Sequence, residues 1–510
     1  MKLKNILLCA SVLGGLALSS CTGNFLDEDR NPNSLDPENF WKSESDILKG
    51  LTAAYAGLQP TIEWAQPFER YIVIDNYRSD ELDYRPDVTA WMELAMYNNE
   101  STNYVPNDEW TNLYTSINYC NQCLDNIPNV PDNDDEGIKQ TKATSIAEAR
   151  FLRAFYYYRL FINFGERLPM FEHELEGTEE EFYPPQVEAG RLKTFIETEL
   201  SECQANLPEK WNTNMAGRVT KYTAALLGKY YMFIGEKAKA KTEFWKVIDS
   251  HRYELMENYG DNFNGLHENN KESILEVQFT GSLEGGHYEY NLFTLHLGPD
   301  SGCGAYEEAY PSKWLFNTLK KDLTEDGEYS DRLYETIIFD DPKSRPFYYE
   351  DGKGFSDYHQ EDNIYWRKYV TYDKSLGDYW DYSGFNIPLI RYADILLLYA
   401  ECLNDEGNSK EAIKYINKVR DRVHVTPLSD TLSKEQVLKH LQDVERPCEL
   451  ALEGSRWYDL IRWGIVEDAL KSHEKPFASN FISTKHIRLA IPHKEFLMNP
   501  DWVQNEGYTK

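Results

Sequence analysis

Eighty-five of the 510 residues are carboxylates, and a pair of carboxylates is the usual apparatus for cleaving a glycosidic bond. At this density pairs arise by chance throughout the chain, and none is set apart by its surroundings. Other catalytic spacings are missing. His267-Glu268 opens a HExxH zinc signature, but no second histidine completes it. The chain has no GxSxG elbow, no Walker loop and no dinucleotide-binding glycine motif. Cys120 and Cys123 form a CxxC without a second CxxC or a nearby histidine, and the surrounding NLYTSINYCNQCLDNI has the periodicity of an amphipathic helix, so packed thiols are expected. The residues point to a protein that performs no chemistry, with no cofactor motif and no metal-ligand set among them.

They point instead to recognition. The chain holds 36 Tyr, 12 Trp and 23 Phe, and several of these rings stand in polar, Gly-rich stretches. Sugar rings have apolar C–H faces that stack on such rings, while their hydroxyls bond Asn, Asp, Gln and Arg. Four stretches have this composition. ELDYRPDVTAWMELAMYNNE carries Tyr84 and Trp91, and GGHYEYNLF carries Tyr288 and Tyr290. GPDSGCGAYEEAYPSKW carries Cys303 and Tyr306, and KSLGDYWDYSGFN carries Tyr379, Trp380 and Tyr382. Trp91 is the leading candidate for a stacking platform. Trp314, on the helix that Pro311-Ser312 begins, is expected in the core.

The elements that must position these loops are mainly α-helical. KYTAALLGKYYMFIGEKAKAKTEFWKVI from Lys221 and RYADILLLYAECLNDEGNSKEAIKYINKV from Arg391 share a register. Aligning Gly228 with Ala400 places Tyr231 on Leu403, Ala240 on Ala412, Phe244 on Ile416 and Val247 on Val419. Small residues at close contacts and large ones around them follow the helix–turn–helix pattern of a tetratricopeptide repeat. Gly407 ends its helix, and Asn408 with Glu411 has the spacing of a capping box. Helical periodicity also marks 45–58, 108–127, 144–164, 191–207 and 434–460, giving about four helical hairpins. ESILEVQF (272–279) reads as a strand, and a loop-rich insertion with a few short strands occupies about 260–386. Loops this long in a compact domain usually carry function. Arg391, Asp394, Glu401, Arg420, Glu449, Glu453, Arg456 and Arg462 are charges on otherwise apolar helices. Because unpaired buried charge is costly, they are expected to form internal ion pairs, with Trp457 and Trp463 packed beneath.

The N-terminus reads as an address. Lys2 and Lys4 precede a mostly apolar run from Ile6 to Leu18, too short to span a bilayer as a helix. Residues 1–20 are expected to be a signal peptide, 21–40 a tether and 41–510 a single domain. Leu18-Ser19-Ser20-Cys21 resembles a bacterial lipobox, which makes Cys21 the lipidated first residue of the mature chain. The net charge of −32 excludes a nucleic-acid partner and a polybasic membrane patch, and it suits a neutral ligand.

Taken in order, several segments resemble the SusD/RagB family of Bacteroidetes outer-membrane lipoproteins. They are CTGNFLDEDRNPNSLDPENFWKSESD, AEARFLRAFYYYRLFINFGERLP, NIPLIRYADILLLYAECLNDEG, AIKYINKVRDRV and RPCELALEGSRWYDLIRWG. The resemblance implies a cell-surface protein, anchored through Cys21, that binds oligosaccharides and caps a SusC-type TonB-dependent transporter. The relative RagB serves peptide uptake, which keeps a peptide ligand as the alternative; a glycoside hydrolase and a pure scaffold are the remaining rivals. The first and third aromatic stretches fall where family members carry ligand-stacking residues. Where many relatives have a Gly-Trp-Gly-like turn, this chain has Gly302-Cys303-Gly304. One expected platform is thereby lost, and Tyr306 is the replacement at hand.

Overall fold

The computed structural model describes residues 40–60, 67–175, 182–212, 217–281, 289–301, 304–344, 352–370 and 383–510. The expected signal peptide, Cys21, Tyr288, Cys303, Tyr379, Trp380 and Tyr382 lie outside them.

The scaffold is mainly helical. Helices α1 (Glu44–Ala56), α2 (Thr89–Ala95), α3 (Tyr104–Asn126), α4 (Glu136–Phe164) and α5 (Arg191–Glu202) are followed by α6 (Ala224–Phe233) and α7 (Lys237–Asp249). The chain returns to the bundle with α8 (Tyr392–Asp405), α9 (Ser409–Arg422), α10 (Lys434–His440) and α11 (Arg456–Trp463). The pairs α3–α4, α6–α7 and α8–α9 pack as hairpins, and α7 packs on α8 although the whole insertion separates them in sequence. In α4 almost every side chain from Ala147 to Phe164 is buried, as expected of a helix enclosed on all sides.

The shared register of the two repeats is visible in the packing. Gly228, Ala240, Ala400 and Ala412 all lie in close helix contacts, and a Cβ on Gly228 would come within 2.4 Å of the Phe244 ring. The turns match as well. In α6 the Gly235 N–H donates to the Met232 carbonyl and the Glu236 N–H to that of Tyr231; in α8 Gly407 donates to Asn404 and Asn408 to Leu403. Both glycines have φ = +84°, the left-handed conformation that lets this paired C-terminal motif satisfy otherwise orphaned carbonyls. The capping box expected at Asn408 and Glu411 does not form. Asn408 makes no side-chain cap, and Glu411 accepts a hydrogen bond from Lys414 instead.

The periodic run 434–460 is also not one helix. It breaks after Glu449 into turns at Leu452 (φ +63°) and Gly454 (φ +70°) before α11 begins. The break has a physical cause. It lets the Leu452 and Gly454 N–H groups donate to the Glu81 carboxyl and the Asn76 amide oxygen, and the Gly454 Cα lies so close to Asp75 that a Cβ would meet it at 3.0 Å.

Three two-stranded antiparallel sheets organise the insertion. β1 (Leu82–Tyr84) pairs with β3 (Ala309–Pro311), β2 (Ser273–Val277) with β6 (Ile387–Arg391), and β4 (Ile337–Ile338) with β5 (Tyr365–Trp366). The expected strand at 272–279 is therefore present. Short helices such as Phe293–Leu297 and Lys313–Lys321 punctuate the loops between.

The signature charges are buried and paired. Arg391 at the end of β6 bonds Glu272, Glu449 (3.1 Å) and Glu453 (2.7 Å). Arg422 joins Glu272 and Glu449, while Arg332 bridges Glu445 and Glu449. Arg420 holds Glu445 and Asp322, Arg456 holds Asp80, and Arg462 holds Glu401. Asp394 lies between Lys229 and Arg446. Trp457 is fully buried under Arg78, and Trp463 donates its indole N–H to Glu401 while stacking on Arg462. Cys120 and Cys123 are buried free thiols whose pKa values burial pushes up, that of Cys123 to about 12.

Two expectations follow. Gly228→Val should overpack the α6–α7 contact and lower stability by about 1–3 kcal/mol, read from urea midpoints. Although burial opposes its charge, Glu449 is held at about pKa 2 by Arg422, Arg332 and Arg391. This folded value is depressed below the ordinary carboxylate range. The stability that Glu449 contributes is thus complete above roughly pH 4.5 and drains away as pH falls toward 2. Glu449→Gln should cost about 3–5 kcal/mol at pH 7 and flatten the pH dependence across that window.

Candidate functional site

The loop-rich face meets the scaffold at the β1–β3 ladder. The register sets Asp83 opposite Tyr310 and Tyr84 opposite Ala309. Because side chains alternate along a strand, Asp83 and Tyr310 stand on one face and Tyr84 turns to the other. There Tyr84 is half-buried, its ring 6.3 Å from that of Tyr77. β3 packs in turn on β5, bringing the Tyr310 and Tyr365 rings to 6.1 Å.

Between these strands lies a cavity of about 290 Å³. Tyr310 and Tyr365 line it, with Asp83 and Glu307 on one side and Asn363 and Ile364 on the other. Lys313 and Asp362 sit at its exposed edge. Asn363 Nδ2 donates to the Tyr365 hydroxyl (2.8 Å), and the Tyr310 hydroxyl donates to Glu307 (3.3 Å). Burial raises the Asp83 carboxyl above its ordinary pKa, against the pull of Lys475 and Lys313. Burial also raises the Tyr310 and Tyr365 phenols, aided by the negative charge of Glu307, and Tyr365 reaches about 12.

Tyr306 is next to this cavity in sequence and at the surface in space, 43% exposed. Its segment returns along the end of the Phe293–Leu297 helix. The Tyr306 N–H donates to the Leu295 carbonyl (2.8 Å) and the Glu308 N–H to that of His296 (2.7 Å). The turn at Glu307 (φ +53°) keeps this return tight. On the other side Arg85 donates to the Tyr306 carbonyl and forms an ion pair with Asp87 (2.9 Å). Glu308 is buried, and its carboxyl is pushed up to about 8 by that burial and by Asp87 alongside. Two carboxyls that close disfavour each other's ionisation.

Trp91 is not a surface platform, which corrects the leading sequence expectation. It lies on α2 and is only 2% exposed. Its indole N–H donates to Glu69 Oε1 (2.8 Å), and its ring packs on Phe68, Tyr77 and His296. Burial of an indole whose N–H has found its acceptor is favourable. The signal was in the sequence: Trp91, Leu94 and Ala95 form an i, i+3, i+4 stripe. Trp91 nonetheless supports the site from below, since His296 stands between it (5.5 Å) and Tyr306 (5.9 Å). Tyr290 is half-buried beside Asn291, which bridges to Ser383. Trp314 is partly buried, stacked 3.9 Å from His473. Of the sequence candidates, then, Tyr84, Trp91 and Tyr306 converge on one region, as support, foundation and surface. Sequence reasoning missed Tyr310, Tyr365, Asp83 and Asn363. The alternation in ELDY hinted at Asp83, but nothing local revealed that EDNIYW would pack beside AYP.

Comparison with known proteins identifies the family. Residues 203–508 match the SusD family model. The chain belongs to the SusD family. Residues 24–232 match a further model described as "Starch-binding associating with outer membrane". SusD-like protein P25 of Formosa agariphila is 26% identical over 551 positions, spanning 100% of both chains. Among solved structures, a SusD superfamily protein from Bacteroides vulgatus superposes with a TM-score of 0.82 at 24% identity, covering 92% of this chain and 100% of that one. A laminarin binding SusD-like protein gives 0.74 at 26% identity, with coverage of 92% and 100%. The family models thus describe binding proteins associated with the outer membrane.

Replacing Trp91 with Ala should behave as a core truncation in this SusD protein, costing about 3–5 kcal/mol of stability. A fall in thermal midpoint that accompanies any loss of ligand affinity is the expected outcome.

Proposed function

We propose that this SusD protein is a lipid-anchored surface receptor that captures oligosaccharides on the face around Tyr306 and the Tyr310–Tyr365 cavity and hands them to a SusC-type TonB-dependent transporter. The observation that carries the reading is the exposed Tyr306 ring beside a cavity walled by two tyrosines and edged by Asp83 and Asn363. Apolar ring faces with hydrogen-bonding groups close by match the two-sided chemistry of a sugar. The 26%-identical relative that binds laminarin favours a glycan of that general kind. Cys21, in its lipobox-like context, supplies the anchor in this reading, residues 21–40 the tether, and 41–510 the receptor domain. Tyr290 and Tyr84 are secondary candidates in this reading, as are Tyr288, Cys303 and Trp380, which lie outside the described residues.

Tyr306→Ala should weaken oligosaccharide binding by several-fold while leaving the thermal midpoint in place, because the side chain is exposed and contributes little to the core. Calorimetry with laminarin oligosaccharides, alongside a peptide library as the competing ligand class, measures this. Unchanged glycan affinity in Tyr306→Ala, or binding of peptides alone, would displace the proposal.

A further inference from the structure

The charges around the cavity narrow the ligand class. Among the described residues Asp83, Glu307 and Asp362 line it with one cation, Lys313, while the buried Lys475 behind Asp83 donates to the Leu82 carbonyl. Glu307 is already engaged, accepting from the Asp300 N–H (2.7 Å) and the Tyr310 hydroxyl. Asp83 is not: its Oδ1 is buried with no hydrogen-bond partner, which leaves Oδ2 as the oxygen that can take a donor from the cavity it lines. At the Tyr306 rim the charge of Arg85 is balanced by Asp87, its guanidinium also donating to the Tyr306 carbonyl, and Glu308 adds a further carboxyl beside Asp87. Among the described residues the lining of the cavity is therefore rich in acceptors and net negative. A buried acceptor without a donor is costly, and a second anion brought against these carboxylates is repelled in a site partly screened from water.

We infer that the Tyr310–Tyr365 cavity is a subsite for a sugar unit that brings hydrogen-bond donors, hydroxyl or protonated amino groups, to Asp83, and that it rejects sugars bearing carboxylate or sulfate. The inference rests on the glycan reading of this face. Asp83 is its specificity-determining residue, placed by its register opposite Tyr310. The tyrosine rings supply the apolar walls. Glu307 and Asp362 keep the local field negative.

The test uses matched pairs of hexasaccharides: laminarihexaose, cellohexaose, maltohexaose and mannohexaose, each with its C6-carboxylated counterpart. Calorimetry on the full mature chain should find a neutral hexamer that binds and whose carboxylated form binds at least ten-fold more weakly. Asp83→Asn, nearly isosteric, should shrink that discrimination by three-fold or more. Asp362→Asn, on the exposed edge and so harmless to folding, should shrink it in the same direction. A carboxylated hexamer binding as tightly as its neutral partner overturns the inference while leaving glycan binding intact. Discrimination unchanged in both variants overturns it too. Binding by none of the eight removes the glycan reading itself, and the inference with it.

Discussion

The fold turns on a set of buried charges that must all be satisfied at once. Arg391 leaves the end of β6 and meets Glu272 from the start of β2 together with Glu449 and Glu453 from the C-terminal segment, while Arg422 and Arg332 close on the same carboxylates from α9 and the insertion. Lys368, just past β5, reaches Glu453 at 2.8 Å and lies over the Phe263 ring. Each ion would be prohibitively desolvated alone. The network therefore forms completely or hardly at all, and it ties the repeat helices, the β2–β6 sheet and the wall of the cavity into one arrangement. Such a network contributes less to raw stability than an apolar core of equal volume would. Its effect here is to admit a single way of seating the insertion on the scaffold.

The division between rigid support and accessible surface follows from that seating. Phe68, Trp91 and His296 form a packed aromatic column beneath Tyr306, so the exposed ring stands on a base that has no room to yield. The same economy explains why the largest side chain in the first aromatic stretch is hidden and a smaller one several loops away is presented. An indole buries more area than a phenol, and Glu69 was available for its N–H.

Much of the scaffold was legible in the sequence, because its rules are local. The small residues Gly228, Ala240, Ala400 and Ala412 and the apolar stripes around them specify paired helices, and unpaired charges on those helices demand partners. What failed did so where tertiary contact overrode a local signal. Asn408 and Glu411 had the spacing of a cap but found other bonds, and the helical run through Glu449 broke because Asn76 and Glu81 offered acceptors to a turn. The proposed binding face was legible only by composition. Tyr306 could be singled out from its polar, Gly-rich context, whereas the meeting of Asp83, Tyr310 and Tyr365 depends on three strands far apart in sequence whose pairing no periodicity announces.

The β2–β6 pair deserves to be seen as a neck. It joins chain that leaves the bundle after α7 to chain that re-enters at α8, and those two helices are neighbours. Everything between Val277 and Ile387, including both tyrosines of the cavity, is thus one excursion whose two ends are clasped together at its base. The loop-closure cost of a long excursion grows only slowly with its length, and here the clasp already meets most of it. The face is in effect a cassette. Its exposed loops could be lengthened or shortened without disturbing helix packing, provided that Arg391 and its carboxylates at the neck, Arg332 and Asp322, the Lys368 strut, the core side chains such as Phe293 and Trp366 and the β1 docking strand are kept. Ligand preference in such a protein would travel with this piece together with Asp83 on β1.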